Sequence, residues 1–309
     1  LSKDHQLSCK VSYSTLEFGE EKITQIFEQF TRALDLLIGN PAVPISELIF
    51  ITDVENDILL NRFNNTDVEI PKDQTLTQLF EEQVKKFSAK NAVVSNMDTI
   101  TYSDLHKKSQ QLATYLVNLG VQHGEPVAIM ATRSIETIIG ILGIIKAGAV
   151  YVPLNTNTGS DRIKYILEDC GINFLLSIED SKENFDRKII NLKEDVIYQC
   201  EPKELGLNPS SEDSLYIMYT SGTTGQPKGT VISHMNVCRL LINTNFISLS
   251  DDENILQTGS IAFDAFTFEL WGALLNGGTL HFVEEEELLE ASSFERALVN
   301  RKITSLFLT

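Results

Sequence analysis

The fold is decided by the stretch Leu215-Tyr-Ile-Met-Tyr-Thr-Ser-Gly-Thr-Thr-Gly-Gln-Pro-Lys-Gly-Thr230, in which an apolar segment runs directly into a glycine-rich turn. Glycine allows positive φ angles and lets a bulky anion approach the main chain. The hydroxyl side chains and one lysine add hydrogen-bond donors and positive charge. The turn therefore predicts a polyphosphate-binding loop, with a ligand-free polar hairpin turn as the alternative. The candidate phosphate-binding residues are Thr220, Ser221, Gly222, Thr223, Thr224, Gly225 and Lys228.

This loop differs from the loop of P-loop nucleotide hydrolases, which requires G-x-x-x-x-G-K-[ST], because Pro227 precedes Lys228. Among its residues, Thr224 is the one that we expect to contact phosphate most directly. Lys228 has a second interpretation, as an ordinary solvent-exposed lysine. His234 follows on the returning strand, where we expect a capping or packed histidine and not a base.

Helical and extended segments alternate on both sides of the loop, which predicts α/β layers with much parallel sheet. Ser103 and Ser134 are the predicted N-caps of two of the helices. The acidic run 284–287 is predicted to be a solvated loop. Strands are predicted at 92–95, 126–131, 150–154, 174–178, 215–219, 229–232, 255–258, 279–283 and 305–308, and helices at 76–87, 103–119, 134–146, 160–169, 236–244, 265–275 and 294–300.

The first part of the chain has a different pattern. Apolar residues recur at helical spacing over 20–37, and Gly39 with Pro41 ends that helix. A second short helical stretch is predicted at 47–62. We therefore expect a domain boundary near residues 45–70.

Composition limits the classes of function. The 309 residues carry a formal net charge of −18, which argues against nucleic acid or an anionic membrane surface as a partner. The longest apolar run, 138–145, is much shorter than the roughly 20 residues of a membrane-spanning helix. The four cysteines form no CxxC pair, so we expect free thiols in a reducing cytoplasm. The chain does not begin with Met, and we interpret it as an internal piece of a longer protein.

The loop resembles the signature of the adenylate-forming superfamily, and specifically the adenylation domains of non-ribosomal peptide synthetases. Three further segments resemble core motifs of that family, in the expected order: Ile100-Thr-Tyr-Ser-Asp-Leu105, Ile145-Lys-Ala-Gly-Ala-Val-Tyr-Val-Pro-Leu154 and Phe263-Asp-Ala-Phe-Thr-Phe-Glu-Leu-Trp271. Residues 1–48 resemble the tail of a condensation domain, 49–70 the linker that follows it, and 71–309 a truncated adenylation core. The resemblance implies an incomplete, layered αβαβα core preceded by a short helical segment.

The resemblance also implies a two-step reaction. ATP and an amino acid give aminoacyl-AMP and pyrophosphate, and the phosphopantetheine thiol of a carrier protein then takes the aminoacyl group. Mg²⁺ is the implied metal, although the chain supplies no predicted metal ligand. The implied partners are the amino acid, adjacent condensation and peptidyl-carrier domains, and a small MbtH-like protein. An acyl-CoA or aryl-acid ligase of the same superfamily, and a non-catalytic interaction module that keeps the fold, are the two alternatives.

By the same resemblance, Asp264 pairs with the α-ammonium group of the substrate, and Ala265, Phe268 and Phe307 line the side-chain pocket. A buried carboxylate needs a partner, and the aromatic neighbours of Asp264 suggest burial. A helix N-cap is the alternative role for Asp264, and core packing is the alternative for Phe268 and Phe307. Small and aromatic walls predict an aliphatic substrate such as Ile, Val or Leu.

Two positions depart from the family pattern, since Asn155 stands where Asp is usual and Gly159 where Pro is common. The family's later motifs, including the catalytic lysine of its small C-terminal lid, are absent from the 309 residues. We therefore assign no catalytic residue and expect this fragment alone to be inactive.

Overall fold

The structure is a computed structural model that describes residues 8–178, 185–203, 205–207, 209–221 and 226–308. The chain divides into two compact units, residues 1–67 and 68–309. In the described part, no helix has both the length and the apolar character needed to cross a membrane.

The first unit is helical. Helix α1 spans Glu20–Gly39, which confirms the predicted helix, and α2 spans Asp53–Asp57. The predicted stretch 47–62 is broken because Thr52 begins a new helix through a capping box with Glu55. An ion pair of 3.0 Å between Arg32 and Asp53 joins the two helices. That the unit belongs to a condensation domain stays a prediction.

The second unit contains eleven strands and nine helices within the described residues. The strands are β1 (Asn91–Val94), β2 (Thr99–Thr101), β3 (Pro126–Ala131), β4 (Val150–Asn155), β5 (Phe174–Ser177), β6 (Lys188–Asn191), β7 (Ser214–Ser221), β8 (Pro227–Ser233), β9 (Asn254–Leu256), β10 (Thr279–His281) and β11 (Ser305–Leu306). The helices are α3 (Leu76–Phe87), α4 (Tyr102–Asn118), α5 (Ile135–Lys146), α6 (Ser160–Asp169), α7 (Asp195–Tyr198), α8 (His234–Leu241), α9 (Ala265–Leu274), α10 (Glu285–Leu289) and α11 (Ala291–Asn300).

Two mixed sheets organise these strands. One has six strands in the order β6-β5-β3-β4-β7-β8, and the other has five in the order β11-β9-β10-β1-β2. Pairing is parallel except at β7–β8 and β1–β2. Parallel pairing agrees with the prediction from the continuous apolar strands, because such strands are buried on both faces.

The packing produces five layers. Fully buried side chains of α4, α5 and α9, such as Leu112, Ile141 and Leu270, share one core with both sheets. Helix α6 covers the outer face of the six-stranded sheet through Ile163 and Ile166. Ala297 of α11 packs on the outer side of the five-stranded sheet. The predicted αβαβα arrangement is therefore confirmed.

Two local predictions were wrong. Helix α4 is capped by Thr101 and not by Ser103, since the Thr101 hydroxyl accepts a hydrogen bond of 3.1 Å from the Asp104 N–H. The acidic run 284–287 is not a loop but the start of α10, because Glu284 and Glu287 form a capping box. The helix dipole favours Asp and Glu near a helix N-terminus, so the acidic side chains stabilise the start of α10.

His234 lies in the core of this unit and is 4% exposed, which confirms the expectation of a packed histidine. Its Nδ1 accepts a hydrogen bond of 3.2 Å from the Leu76 N–H, so this nitrogen carries no proton. Burial lowers the pKa of His234 to about 4, and the nearby Asp213 carboxylate opposes this only partly.

We expect the His234→Gln variant to lose stability less steeply than wild type as the pH falls. The folded-state pKa of His234 lies below its ordinary value of about 6.5. The contribution of neutral His234 to the free energy of unfolding is therefore fully present above about pH 6.5. That contribution, up to about 3 kcal/mol, is lost as the pH falls from 6.5 to about 4. Glutamine can still accept from the Leu76 N–H but does not titrate. Urea unfolding at several pH values between 7 and 4.5 measures the slope, and parallel profiles for the two proteins would contradict the prediction.

Candidate functional site

Strands β7 and β8 form an antiparallel hairpin at one edge of the six-stranded sheet. Thr220 lies directly opposite Lys228 in this pairing, and both side chains are exposed. Two predicted phosphate-binding residues therefore face each other at the base of the loop. The other predicted loop residues, Gly222, Thr223, Thr224 and Gly225, and the side chain of Ser221, lie outside the described residues.

Gly229 allows the two strands to approach closely beside the loop. A Cβ atom at this position would lie 2.8 Å from Cγ2 of Ile217 and 3.1 Å from the Tyr219 ring. Any larger residue would push β8 away from β7. Close packing therefore explains the glycine at position 229 independently of any role in phosphate binding.

One face of β7 leads from the loop toward helix α9. Tyr216 and Met218 are buried on this face. Thr220, two residues beyond Met218 on the strand, points to the same face. The Tyr216 hydroxyl lies 2.9 Å from Oγ1 of Thr267 in α9. Burial raises the pKa of Tyr216, and the neighbouring Asp264 carboxylate raises it further. Since a strand rises about 3.3 Å per residue, Tyr216 and Thr220 lie about 13 Å apart.

Asp264 occupies the N-cap position of α9, but its side chain makes no capping hydrogen bond, and its φ and ψ of −62° and −29° are helical. The alternative role as a capping residue is therefore not observed. Asp264 is also exposed, and this contradicts the expectation that it is buried. Phe263, next to it, is 63% exposed, so the aromatic neighbours do not enclose the carboxylate. Pairing with an α-ammonium group stays a prediction.

The three predicted pocket residues differ in exposure. Ala265 is half-buried, and Phe268 is half-buried and packs against the main core, which is the alternative that the sequence left open. Phe307, in contrast, is 42% exposed and follows β11, so core packing does not explain it. Its carbonyl oxygen accepts a hydrogen bond from the Thr258 hydroxyl. The segment after β9 therefore touches one of the predicted pocket residues directly.

A buried polar network lies beneath this segment, and it was not predicted from the sequence. Gln257 and Glu269 are both completely buried. Both carboxylate oxygens of Glu269 accept hydrogen bonds from residues 257–259. Arg133 binds the same segment from the turn before α5. One signal was available in the sequence, because Glu269 is the only charged residue within the apolar helix α9.

A cavity of about 200 Å³ lies beside the hairpin, between the end of β4 and residues 260–263. Asn155, Arg162, Tyr219 and Ser260 contribute polar groups to its wall. The amide nitrogen of Asn155 lies 3.3 Å from the Ser260 hydroxyl oxygen. The departure from the usual Asp at 155 thus places a neutral hydrogen-bond donor against the segment that leads to Asp264.

Nucleophilic cysteine chemistry is not favoured at Cys170 or Cys238. Burial raises the pKa of Cys238 to about 11 and also raises that of Cys170, so neither thiolate is populated near neutral pH. Among the described residues, no group of three or more His, Cys, Asp or Glu side chains is placed to hold a metal ion. Within the described residues, the region thus presents the exposed side chains of Thr220, Lys228 and Asp264.

Comparison with known proteins gives a consistent result. Residues 80–309 match the AMP-binding enzyme family. The chain is 38% identical over 303 residues to gramicidin S synthase 2 of Aneurinibacillus migulanus and 36% identical over 303 residues to surfactin synthase subunit 2 of Bacillus subtilis (strain 168). These matches cover 97% of this chain but only 7% and 8% of the two relatives.

Solved structures show the same fold. The N-terminal subdomain of Klebsiella oxytoca NpsA, in complex with anthranilyl-AMSN, matches with a TM-score of 0.69 and 29% identity. The match covers 78% of this chain and 61% of that subdomain. NpsA-ThdA, an artificially fused adenylation-PCP di-domain from the same organism, matches with a TM-score of 0.69 and 29% identity, over 77% of this chain and 44% of that protein.

Proposed function

Because the chain belongs to the AMP-binding enzyme family and covers the N-terminal core of an adenylation domain, we propose that it activates an amino acid with ATP within a non-ribosomal peptide synthetase. The observation that carries the proposal is the face of β7. Thr220 and the opposed Lys228 lie at one end of this strand, and Tyr216, near the other end, contacts Thr267 in the first turn of α9, the helix that begins after Asp264. Phosphate donors at one end and a carboxylate at the other are what the joining of a nucleoside triphosphate to an α-amino acid requires.

The residues present fit the phosphate groups of ATP. Thr220 offers a hydroxyl donor, Lys228 offers a cation, and both are exposed at the base of the loop. When bound, ATP supplies an electrophilic α-phosphorus and a pyrophosphate leaving group. We propose that this chain holds the β- and γ-phosphates and thereby fixes the α-phosphate for attack. We assign no Mg²⁺ ligand within the described residues.

The first step forms a bond between a carboxylate oxygen of the amino acid and the α-phosphorus, while the bond to the bridging oxygen of pyrophosphate breaks. Asp264 contributes by pairing with the α-ammonium, which turns the substrate carboxylate toward the phosphate. In the second step, the thiol of a carrier-bound phosphopantetheine attacks the acyl carbon and AMP leaves. The residues named here bind and orient the substrates, and we assign none of the described residues as a general acid or base.

The side-chain pocket supports an aliphatic amino acid as the substrate. Ala265 leaves space beside Asp264, while Phe268 and Phe307 offer apolar surface. None of these three residues carries a charge or a hydrogen-bonding side chain that would recognise a polar substrate. We therefore propose Ile, Val or Leu as the activated residue.

The wider organisation is part of the same proposal. Residues 1–48 are the tail of a condensation domain, 49–70 are a linker, and 71–309 are part of the adenylation core. The observed division after residue 67 is compatible with a linker in this region. A peptidyl-carrier domain and a small MbtH-like protein are the proposed partners.

Amino-acid-dependent exchange of pyrophosphate into ATP tests this function in the complete protein that contains the chain. With a panel of all twenty amino acids, we expect exchange with Ile, Val or Leu to exceed that with charged amino acids by at least about 100-fold, since an apolar pocket leaves a buried charge unpaired. Omission of amino acid gives the background rate. A preference for aryl acids or for charged amino acids would contradict the proposal.

A further inference from the structure

Glu269 is held in place by the main chain of the segment that follows β9. One carboxylate oxygen, Oε1, accepts hydrogen bonds of 2.9 Å from the Thr258 N–H and 3.4 Å from the Gly259 N–H, and it also lies 3.1 Å from the Thr258 hydroxyl oxygen. The other oxygen, Oε2, accepts from Nε2 of Gln257 at 3.2 Å. A carboxylate with this many donors has one preferred position.

The positive charge of Arg133 balances the negative charge of Glu269 through the side-chain amide of Gln257, which lies between them. Arg133 donates from Nε to Oε1 of Gln257 at 2.7 Å, and from a terminal nitrogen to the Thr258 carbonyl oxygen at 2.8 Å. Gln257 is therefore oriented, with its oxygen toward Arg133 and its nitrogen toward Glu269. Burial raises the pKa of Glu269, and the hydrogen bonds from Thr258, Gly259 and Gln257 act in the opposite direction.

Glu269 connects the two walls of the proposed amino-acid pocket. It lies in the second turn of α9, the helix that begins immediately after Asp264. The Thr258 N–H donates to Glu269 and the Thr258 hydroxyl donates to the Phe307 carbonyl, so Thr258 joins Glu269 to the residues that follow β11. The network thus fixes the α9 end that bears Asp264 relative to the strand end that bears Phe307.

Stability alone does not account for a carboxylate at this position. A completely buried ionised group carries a desolvation cost, and well-packed apolar residues often replace such groups without loss of stability. We propose that Glu269 is a positioning residue that sets the spacing of the amino-acid pocket, an inference that rests on the proposed function of Asp264 and Phe307. Its hydrogen bonds define where the ammonium-binding carboxylate and the pocket wall stand relative to each other.

Glu269→Gln tests this inference because it keeps the volume and removes the charge. The introduced glutamine can still accept from Thr258 through its amide oxygen, but its amide nitrogen then faces Nε2 of Gln257. If Gln257 turns its amide to avoid this, its nitrogen faces Nε of Arg133 instead. A donor therefore meets a donor in either orientation. We expect KM for the amino acid to rise about 10- to 30-fold in pyrophosphate exchange, with KM for ATP within about twofold of wild type.

The double variant Gln257→Glu, Glu269→Gln is the matched rescue. A carboxylate at position 257 accepts from both Arg133 Nε and the amide introduced at position 269. It no longer donates to the Gly259 carbonyl, which keeps its hydrogen bond of 3.3 Å from Arg133. We expect KM for the amino acid to return to within about threefold of wild type. Glu295→Gln, at an exposed position in α11, serves as the control and should leave both KM values unchanged.

The outcomes separate the two proposals. An equal rise in both KM values for Glu269→Gln, no rise in either, or no recovery in the double variant would overturn the positioning role while wild-type exchange remains intact. If the wild-type protein exchanges with no amino acid, the proposed function fails, and the positioning role fails with it. If Glu269→Gln does not fold, the double variant decides the matter. A double variant that folds but does not recover its affinity for the amino acid also overturns the inference.

Discussion

Asp264→Ala should lower kcat/KM for amino-acid-dependent pyrophosphate exchange by about 10²- to 10³-fold. In the proposed complex, the carboxylate is the partner of the substrate's α-ammonium, and truncation of one member of a desolvated ion pair typically costs about 2–5 kcal/mol. Asp264 is exposed, so in the proposed complex its desolvation would accompany substrate binding. KM for ATP should change little, because the phosphates bind at the far end of β7.

Asp252→Ala is the matched control, since Asp252 is also exposed and precedes β9 without a side-chain hydrogen bond to a described residue. It should leave exchange within about twofold of wild type. A loss of kcat/KM below tenfold for Asp264→Ala would contradict the assigned role. So would a loss that appears equally in KM for ATP.

Gly143→Val should lower the free energy of unfolding by about 3 kcal/mol. Gly143 lies where α5 crosses α4, and a Cβ atom there would lie 2.5 Å from Cδ2 and 3.0 Å from Cβ of Leu112. Leu112 is completely buried, so it cannot turn away into solvent. The two helices would have to separate, and the core between the two sheets would open. At about 2–4 °C per kcal/mol for a domain of this size, the melting temperature should fall by about 6–12 °C.

Gly159→Ala is the control for this helix contact. Gly159 precedes α6 with φ of −58°, and nothing lies within 4 Å of the Cβ that would be added. Its effect on the melting temperature should stay within about 2 °C, because neither space nor backbone conformation opposes alanine. A melting temperature of Gly143→Val within about 2 °C of wild type would contradict the prediction that stability depends on the close approach of α4 and α5.

Much of the fold could be predicted because its local signals agree with its packing. Helix α5 runs as expected from the Ser134 cap to Lys146, and β3 has its predicted bounds. In both cases the apolar pattern and the end signals point to the same structure. Strand β6 and helix α7 were missed because each has four residues of which only one is buried, so neither shows the apolar run or face that marked the other elements.

The wrong N-cap has a different cause. Thr101 and Ser103 are both good capping residues, and the choice between them depends on β2, which ends at Thr101. That short strand is fixed by its pairing with β1, a tertiary contact that local propensity does not contain. The same limit applies to the first unit, where the capping box at Thr52 divides one predicted helical stretch.

The candidate site was partly accessible from the sequence. The hairpin and the start of α9 lie where the motif spacing placed them, and Lys228 stands opposite Thr220. The burial of Asp264 was misjudged because Phe263 points into solvent, while Phe266 and Phe268 pack into the core and not around the carboxylate. The partners of Glu269 could not be found in the sequence, since Arg133 is far from Gln257 along the chain and meets it only across the fold.

The pairing of β1 with β10 has a consequence for the order in which the chain can assemble. Thr279 donates a hydrogen bond to the Asn91 carbonyl, 188 residues away, and the Tyr102 hydroxyl donates to the Gly278 carbonyl across a similar interval. All six strands of the six-stranded sheet precede residue 234, whereas β1 pairs with β10 at 279–281 and β9 pairs with β11 at 305–306. We therefore expect that, during synthesis, the strands of the six-stranded sheet can pair before the five-stranded sheet can be completed.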